Sequence, residues 1–438
     1  MMSKMSGGDA LISSLEREGV EVIFGLPGVQ MYGVVDALRR NKNIKMIVPR
    51  HEQATSYMAD GYARASRGIG VAMVVPGPGL YNAAAGLSTA YSSNSRVLMI
   101  AGQIPRSTIG KDMGGLHEVN DQLETIKPVT KFQKRLLRPH EIPQGVSEAF
   151  SHLKNGRPRP VEIEMPPETM VESEDVQLLE ASVFERTNPN DDSIAESVKI
   201  ILNAKKPVIY AGTGVIRSEA EDELRELTEL TNIPVVTSAA AKGVISDEHP
   251  NSLGSGLTGE GQIKNYLESS DLIIILGSRF AIRYPAAEGT KKIQVEIDQS
   301  EIGKFHNDAL PVIGDAKVSI SKIIDGIKKM GGTNLDSPAE SIKNSYHQGI
   351  TDEFIEPIVI TENGQPIGSI EKDDVIIFFN FRTDRGRQLT QALTQESFKD
   401  FDLNPIPLYY VTLTNYDHSF HNIKVIYSKD IKQTLDII

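Results

Sequence analysis

Glu52 is the acidic residue whose place in the sequence best suits acid–base chemistry. It follows a short β-branched run, Ile44–Val48, and precedes a helical pattern over Gln53–Ala65. The partial positive charge at a helix N-terminus favours an ionised carboxylate at such a position. A first-turn glutamate on a surface helix would have the same context, and position alone favours that simpler interpretation.

A glycine–proline loop and two arginines are further candidates for ligand binding. Pro76-Gly77-Pro78-Gly79 lets backbone approach a ligand closely, although a stiff turn explains the loop equally well. Arg382 and Arg385 follow the apolar run Val375–Asn380, so their guanidinium groups could converge on a phosphate or a carboxylate. Ion pairing with a neighbour such as Asp384 is the alternative.

Alternating strand and helix patterns position these candidates and predict an α/β fold. The first 170 residues contain predicted strands at Val20–Phe24, Ile44–Val48, Val71–Val75 and Val97–Ala101, and predicted helices at Ala10–Glu18, Tyr32–Arg39, Gln53–Ala65 and Asn82–Ala90. Such alternation implies a doubly wound parallel sheet, with helices on both faces. Ligands of these sheets bind beyond the C-terminal ends of the strands, where Glu52 and the glycine–proline loop are expected.

A second doubly wound sheet is predicted further along the chain. Its strands are expected at Pro207–Tyr210, Pro234–Thr237, Leu272–Leu276 and Ile293–Ile297. Ser218 and Glu221 have the spacing of a capping box, which predicts a helix from there to Leu230. The turn Gly212-Thr213-Gly214 is weak evidence for a dinucleotide, because the full fingerprint needs a third glycine and a downstream acid. We favour a structural role for it.

Composition divides the chain into modules. We predict domains at residues 1–170 and 194–330, a polar linker at 171–193, and a separate α/β fragment at 336–438. From Asp336 onward there are 16 acidic and nine basic residues, which marks the tail as a distinct module.

Overall composition excludes several classes of function. The 438 residues carry a net charge of −12 without a polybasic stretch, which argues against nucleic acid or an anionic membrane as partner. The absence of cysteine excludes disulfides, thiolate metal sites and a cysteine nucleophile. Neither a membrane-spanning run nor a signal peptide is recognisable, so we expect a cytoplasmic protein.

The motifs of about residues 7–330 resemble, in order, the acetolactate-synthase-like thiamine-diphosphate enzymes. In the first domain they are Phe24-Gly25-Leu26-Pro27-Gly28, Arg50-His51-Glu52-Gln53-Ala54, Gly77-Pro78-Gly79 with Asn82, and Ala101-Gly102-Gln103-Ile104-Pro105. In the second they are Ala211-Gly212-Thr213-Gly214-Val215, Lys242-Gly243, His249-Pro250 and Ile297-Asp298. The resemblance implies a pyrimidine-binding domain followed by a central Rossmann-like domain.

The resemblance also implies roles for individual residues. Glu52 would be the catalytic glutamate that hydrogen-bonds N1′ of the cofactor's aminopyrimidine, so that the neighbouring amino group can act as an internal base. The substrate would be a 2-keto acid such as pyruvate. The cofactor-binding residues would be Pro27, Gly28, Glu52, Pro78, Gly79, Asn82 and His117. His117 stands where the family usually has glutamine, and either a proton donor or a polar wall residue fits that position.

One family feature is missing from the sequence. The family holds the diphosphate through Mg²⁺ in a third domain with a Gly-Asp-Gly motif, and the nearest match here, Gly314-Asp315-Ala316, falls in the central domain. We therefore predict no metal-binding residues and binding of the pyrimidine half only. Mg²⁺ would require a partner chain with a diphosphate-binding domain, and a homodimer is expected. Some relatives bind FAD in the central domain, so FAD is an unlikely but open alternative.

The tail resembles an internal segment of cofactor-independent phosphoglycerate mutase. The resemblance is carried by Asp374–Arg385 and Tyr410–Asp417, and it implies that Arg382 and Arg385 grip the phosphate of a phosphoglycerate. The mutase's phosphorylated serine and two metal ions belong to a domain that is not recognised in this chain. Three hypotheses follow: an incomplete thiamine-diphosphate enzyme, which we favour, a phosphoglycerate mutase, and a non-catalytic fusion.

Overall fold

The computed structural model describes residues 2–256, 261–281, 289–330, 346, 350, 361–362, 365–366, 368–380, 383–399 and 403–427. The chain forms two compact units, residues 1–330 and residues 331–438. Within the described residues, no helix combines the length and the apolarity that crossing a membrane requires.

The first domain is built on a six-stranded parallel sheet. Its strands are β2 (Val22–Gly25), β3 (Lys45–Ile47), β4 (Gly70–Val74), β5 (Val97–Gly102), β6 (Phe132–Arg135) and β7 (Val161–Met165), in the spatial order β3-β2-β4-β5-β7-β6. Two further strands, β1 (Met2–Ser6) and β8 (Ser173–Gln177), form an antiparallel pair. Residues of the predicted linker therefore include a strand.

Helices cover both faces of this sheet. They are α1 (Gly7–Arg17), α2 (Tyr32–Arg40), α3 (Glu52–Ser66), α4 (Pro78–Ser92), α5 (Gln122–Ile126), α6 (Ile142–Lys154) and α7 (Pro167–Val171). One hydrophobic core joins α1, α2 and α6 to the sheet, and a second joins α3 and α4 to its other face. Because Gly86 has no side chain, Ser56 of α3 approaches α4 closely, and its hydroxyl donates to the carbonyl of Ala83 at 2.7 Å.

The central domain repeats this architecture. Its strands are β9 (Pro207–Ala211), β10 (Val235–Thr237), β11 (Ser252–Ser255), β12 (Leu272–Leu276), β13 (Lys291–Glu296) and β14 (Leu310–Ile313), all parallel, in the order β11-β10-β9-β12-β13-β14. Its helices are α8 (Asp191–Asn203), α9 (Thr213–Arg217), α10 (Glu221–Thr231), α11 (Gln262–Glu268) and α12 (Ala316–Met330). The predicted class, two doubly wound domains, is confirmed.

The predicted capping box at Ser218 and Glu221 is wrong. Ser218 caps the C-terminal end of the short helix α9, and α10 begins at Glu221 after Ala220, without a side-chain cap. Glu219 between them has a φ of 54°, so the chain reverses there instead of continuing into a helix.

The second unit contains a smaller α/β arrangement, which confirms the predicted separate α/β fragment. Strands β17 (Val375–Phe378), β18 (Tyr409–Thr414) and β19 (Ile423–Tyr427) form a parallel sheet in that order, after a hairpin of β15 (Thr361–Glu362) and β16 (Gln365–Pro366). Helix α13 (Asp384–Thr394) connects β17 to β18. Arg382 and the side chain of Arg385 lie outside the described residues, so the predicted phosphate grip stays a prediction.

Two buried glutamates of β7 differ in their hydrogen-bond partners. Glu164 accepts hydrogen bonds from Gln103 at 3.2 Å and Gln122 at 2.6 Å, and it pairs with Arg135. Neither carboxylate oxygen of Glu162 has a hydrogen-bond partner in the described part of the chain. Burial, and then the neighbouring charge of Glu164, raises the pKa of Glu162 well above its ordinary value.

Replacing Glu162 by leucine should stabilise the protein, and more so at alkaline pH. Glu162 keeps a proton in the folded chain that it releases in the unfolded chain. The free energy of unfolding therefore falls as pH rises above the ordinary glutamate pKa of about 4.3, by at most about 1.4 kcal/mol per pH unit. We expect Glu162→Leu to remove this loss and to raise the free energy of unfolding by about 1–3 kcal/mol, measured by urea unfolding near neutral and at mildly alkaline pH.

Glu164→Leu is the matched control on the same strand. Because it leaves Arg135 and Gln122 without their partner, we expect it to destabilise the protein by about 3–5 kcal/mol. Effects of the same sign in both variants would contradict this account of the pair.

Candidate functional site

Glu52 is the first residue of α3, at the C-terminal edge of the first sheet. His51 caps this helix, since its Nδ1 accepts a hydrogen bond from the backbone N–H of Gln53 at 3.1 Å. The Glu52 side chain is half-buried, and its Oε2 accepts a hydrogen bond from Nδ2 of Asn82 on α4 at 3.1 Å. The carboxylate is therefore fixed between two helices and still accessible to a ligand.

Two glycines beside Glu52 pack against opposite sides of Val75. A Cβ on Gly28 would lie 2.4 Å from Cγ1 of Val75, and a Cβ on Gly79 would lie 2.6 Å from Cγ2. The same Cβ on Gly79 would lie 3.7 Å from Cγ of Glu52. Any larger residue at either position would displace Val75, so the close packing there requires glycine. Pro27, beside Gly28, is exposed.

The buried side-chain amide of Gln122 fixes the turn that precedes α4. Gly77 adopts a left-handed φ of 57°, and exposed Pro78 is the first residue of the helix. The N–H of Gly77 donates to Oε1 of Gln122 at 2.9 Å, while Nε2 of Gln122 donates to the carbonyl of Gly102 and to Glu164. The turn is therefore tied to β5 and β7 through one side chain.

His117 lies against the same turn. Its carbonyl oxygen would be 2.4 Å from a Cβ on Gly77, and its own φ is 68°, an uncommon conformation for residues other than glycine, although histidine adopts it more often than most. Nδ1 of His117 is buried and has no hydrogen-bond partner among the residues described. The preceding carbonyl, of Leu116, accepts a hydrogen bond from Gln30 at 3.4 Å, so the loop is also fixed next to Gly28.

Of the cofactor-binding residues predicted in the first domain, Asn82 contacts the Glu52 carboxylate and Gly79 lies close to it. Gly79 and Asn82 both belong to α4, Gly28 meets Gly79 through Val75, and the loop of His117 packs against Gly77 just before α4. Val75 and Gln122 were not predicted. The sequence could have indicated Val75, because it lies at the end of a buried strand and directly before the glycine–proline loop. The contacts of Gln122 depend on tertiary structure, so no sequence pattern indicates them.

The loops and helices that carry this site also expose large hydrophobic side chains. We call these the apolar rim, namely Val29, Tyr32, Val48, Tyr57, Tyr81, Met113 and Leu116. No group of three or more potential metal-ligating side chains occurs in the part of the chain that the structure describes.

A separate cavity of about 380 Å³ lies between the first and central domains, within the first unit. Its lining includes Gly214 and four arginines, Arg96, Arg157, Arg217 and Arg279. Burial, and then repulsion between Arg96 and Arg217, lowers the pKa of Arg217. The arginines favour an anionic ligand.

Gly212 and Gly214 also have a purely structural explanation. A Cβ on Gly212 would lie 2.4 Å from the carbonyl oxygen of Gly277. A Cβ on Gly214 would lie 2.5 Å from the Cα of Gly277. Both positions therefore require glycine whether or not a ligand is bound.

Comparison with protein families gives three matches along the chain. Residues 5–125 match the thiamine pyrophosphate enzyme N-terminal TPP binding domain, and residues 194–323 match the central domain of the same enzymes. Residues 318–418 match the N-terminus of the BPG-independent phosphoglycerate mutases.

Curated relatives point the same way. The chain is 36% identical over 366 residues to a probable acetolactate synthase large subunit of Methanococcus aeolicus, which covers 79% of this chain and 59% of the relative. It is 38% identical over 327 residues to the corresponding protein of Methanocaldococcus jannaschii, covering 72% and 54%, and 36% identical over 333 residues to an acetolactate synthase of Mycobacterium bovis, covering 74% and 53%. The chain thus spans between a half and three fifths of the relatives it matches.

Adding a methyl group at Gly79 should destabilise the site through Val75. We expect Gly79→Ala to lower the free energy of unfolding by about 1–3 kcal/mol, and Val75→Ala in the same chain to recover part of that loss, with a coupling of about 0.5–3 kcal/mol. Urea unfolding of the double-mutant cycle measures both.

Gly61→Ala provides the control, because Gly61 lies within α3 and a Cβ there would meet no atom within 4 Å. We expect it to stabilise the protein by about 0.5–1 kcal/mol. Additive effects of Gly79→Ala and Val75→Ala would show that the close packing is not what requires glycine.

Proposed function

The chain belongs, over residues 5–125 and 194–323, to the thiamine pyrophosphate enzymes, and on that premise we propose that the Glu52 site binds the aminopyrimidine half of thiamine diphosphate. The observation that carries the proposal is the half-buried Glu52 carboxylate, which Asn82 holds at the C-terminal edge of the parallel sheet. A ring nitrogen needs such an acceptor on a rigid support.

The residues present fit this cofactor. Gly28 is only partly buried, and His117 contributes a buried ring nitrogen without a protein partner among the described residues. When bound, the cofactor supplies an electron sink for the decarboxylation of 2-keto acids. Glu52 would orient its pyrimidine and keep a proton on the ring nitrogen.

The substrate class that we propose is a 2-keto acid such as pyruvate, in line with the relatives' names. His117 is then either the proton donor or a polar wall residue on the substrate side. Its fixed loop supports both roles equally, so the acceptor substrate is not assigned.

We further propose that a second chain completes the site by holding the diphosphate and Mg²⁺. The exposed apolar rim supports this proposal, because a patch of that kind around a half-open site is typical of an interface. The second chain would be another protein with a diphosphate-binding domain, in addition to the expected homodimer contacts. A cytoplasmic location remains a prediction.

The arginine-lined cavity leaves FAD as an alternative ligand of the central domain. Gly212 and Gly214 are explained by their packing against Gly277, which supports the structural role we favour. Arg157 and Arg279 pair with Glu301, and Arg217 contacts Ser95, so the arginines also have protein partners, and a nucleotide such as FAD stays only as the alternative occupant.

Removing the charge of Glu52 should weaken binding of thiamine diphosphate. Glu52→Gln keeps the size of the side chain but removes the negative charge that favours a proton on the pyrimidine, so we expect binding at least about tenfold weaker, or about 1.4 kcal/mol. Titration calorimetry at millimolar ligand measures it.

Glu196→Gln, which alters an exposed glutamate of α8, is the matched control and should leave the binding heat unchanged. Equal binding by Glu52→Gln and the wild-type protein would contradict the assignment of Glu52.

Purified protein alone should show negligible formation of acetolactate from pyruvate with thiamine diphosphate and Mg²⁺, because the diphosphate has no identified holder. We also expect no interconversion of 2- and 3-phosphoglycerate with Mn²⁺, since the mutase's serine and metal ligands are not recognised in the chain. Robust turnover in the first assay would overturn the proposed need for a partner, and turnover in the second would favour the mutase hypothesis.

A further inference from the structure

The parallel sheet of the second unit has one apolar face that α13 does not cover. Register places Val375 beside Tyr409 and Ile377 beside Val411, so these side chains share a face, which Ile426 continues on β19. Exposed Phe379 follows directly after the end of β17. We call Val375, Ile377, Phe379, Tyr409 and Ile426 the open face. Their exposed fractions are 65%, 64%, 83%, 54% and 54%.

Helix α13 is fixed to the opposite face. Phe378 and Tyr410 stack with ring centroids 6.2 Å apart, and the Tyr416 ring meets the edge of Phe378 at 5.8 Å. Thr390 of α13 donates to the hydroxyl of Tyr410 at 3.3 Å, and Gly386 of α13 packs against Tyr416. The helix therefore cannot cover the open face without losing this core.

A bare face is unusual for this kind of sheet. Parallel sheets occur almost only with both faces covered, and their strands are correspondingly apolar throughout. Here β17 reads Val-Ile-Ile-Phe, apolar on both sides, although only one side has a partner among the described residues. A sequence of this kind is suited to burial of both faces.

We propose that the open face binds the open face of a second copy of this chain. The exposed fractions correspond to roughly 500 Å² of apolar surface per copy, so two copies would bury about 1,000 Å², near the lower limit for a specific interface. Among the described residues the face is mainly aliphatic and aromatic, with one charge from Lys424 on β19, beside Val411. It is therefore complementary to itself, as a two-fold contact requires. Sheets pack face to face about 10 Å apart with aligned strands, and the small area predicts a weak, reversible dimer.

The absence of native cysteine gives a direct test in the full chain. Ile377→Cys places one thiol on the open face, and Gln388→Cys places one on the exposed surface of α13. Treatment with a short bismaleimide should cross-link Ile377→Cys into dimers at least about fivefold more than Gln388→Cys, because Gln388 lies on the helix that covers the opposite face of the sheet. The yield should rise with protein concentration, and adding Phe379→Asp to Ile377→Cys should reduce it to the level of the control.

Three results would overturn the proposal. One is equal cross-linking at the two positions, and another is an undiminished yield after Phe379→Asp. The third is slow labelling of the Ile377→Cys variant by a monofunctional maleimide in the monomeric fraction, which would mean that another part of the same chain covers the face. Matching thermal unfolding of each variant and the wild-type protein establishes that the substitutions leave the fold intact.

Discussion

The close packing of backbone against Val75 is the constraint on which the Glu52 site depends. Val75 ends the apolar run through β4, and Gly28 and Gly79 press against its two methyl groups at distances that no side chain could share. This contact sets how near the Gly28 loop and the start of α4 come to each other. Asn82, one turn into α4, then reaches Glu52 as a consequence of where α4 begins.

Buried polar contacts fix the turn that precedes α4 to strands β5 and β7 of the sheet. Gln122 connects the strained turn at Gly77 to Gly102 and Glu164, and Arg135 compensates the charge of Glu164. A fully buried network of this kind is stable only while each member is satisfied, so it fixes one geometry and tolerates few others. Glu162 next to it, without a hydrogen-bond partner among the described residues, is the exception, and it costs stability rather than adding to it.

The sequence was sufficient for the architecture because buried β-branched runs alternate with amphipathic helices. Strand Leu272–Leu276 is found as predicted, and α3 begins one residue before its predicted start, at Glu52 itself. The error at Ser218 arose because a capping motif is local, whereas the short helix α9 depends on the close approach of Gly214 to Gly277. Gln122 could not be predicted for the same reason, since its three partners come from distant segments.

Each of the two units exposes apolar surface at a position of structural interest. The first unit offers a cofactor site whose apolar rim is exposed, and the second offers a sheet with one open face. Both features are the basis of our proposals that this chain binds other chains, and only the first concerns the chemistry. A crystal structure with thiamine diphosphate tests the central claim most directly. The account predicts the pyrimidine N1′ within about 3 Å of a Glu52 carboxylate oxygen, with the ring over Gly28 and Gly79. A cofactor bound in the arginine-lined cavity instead, with Glu52 in contact only with Asn82 and solvent, would contradict it.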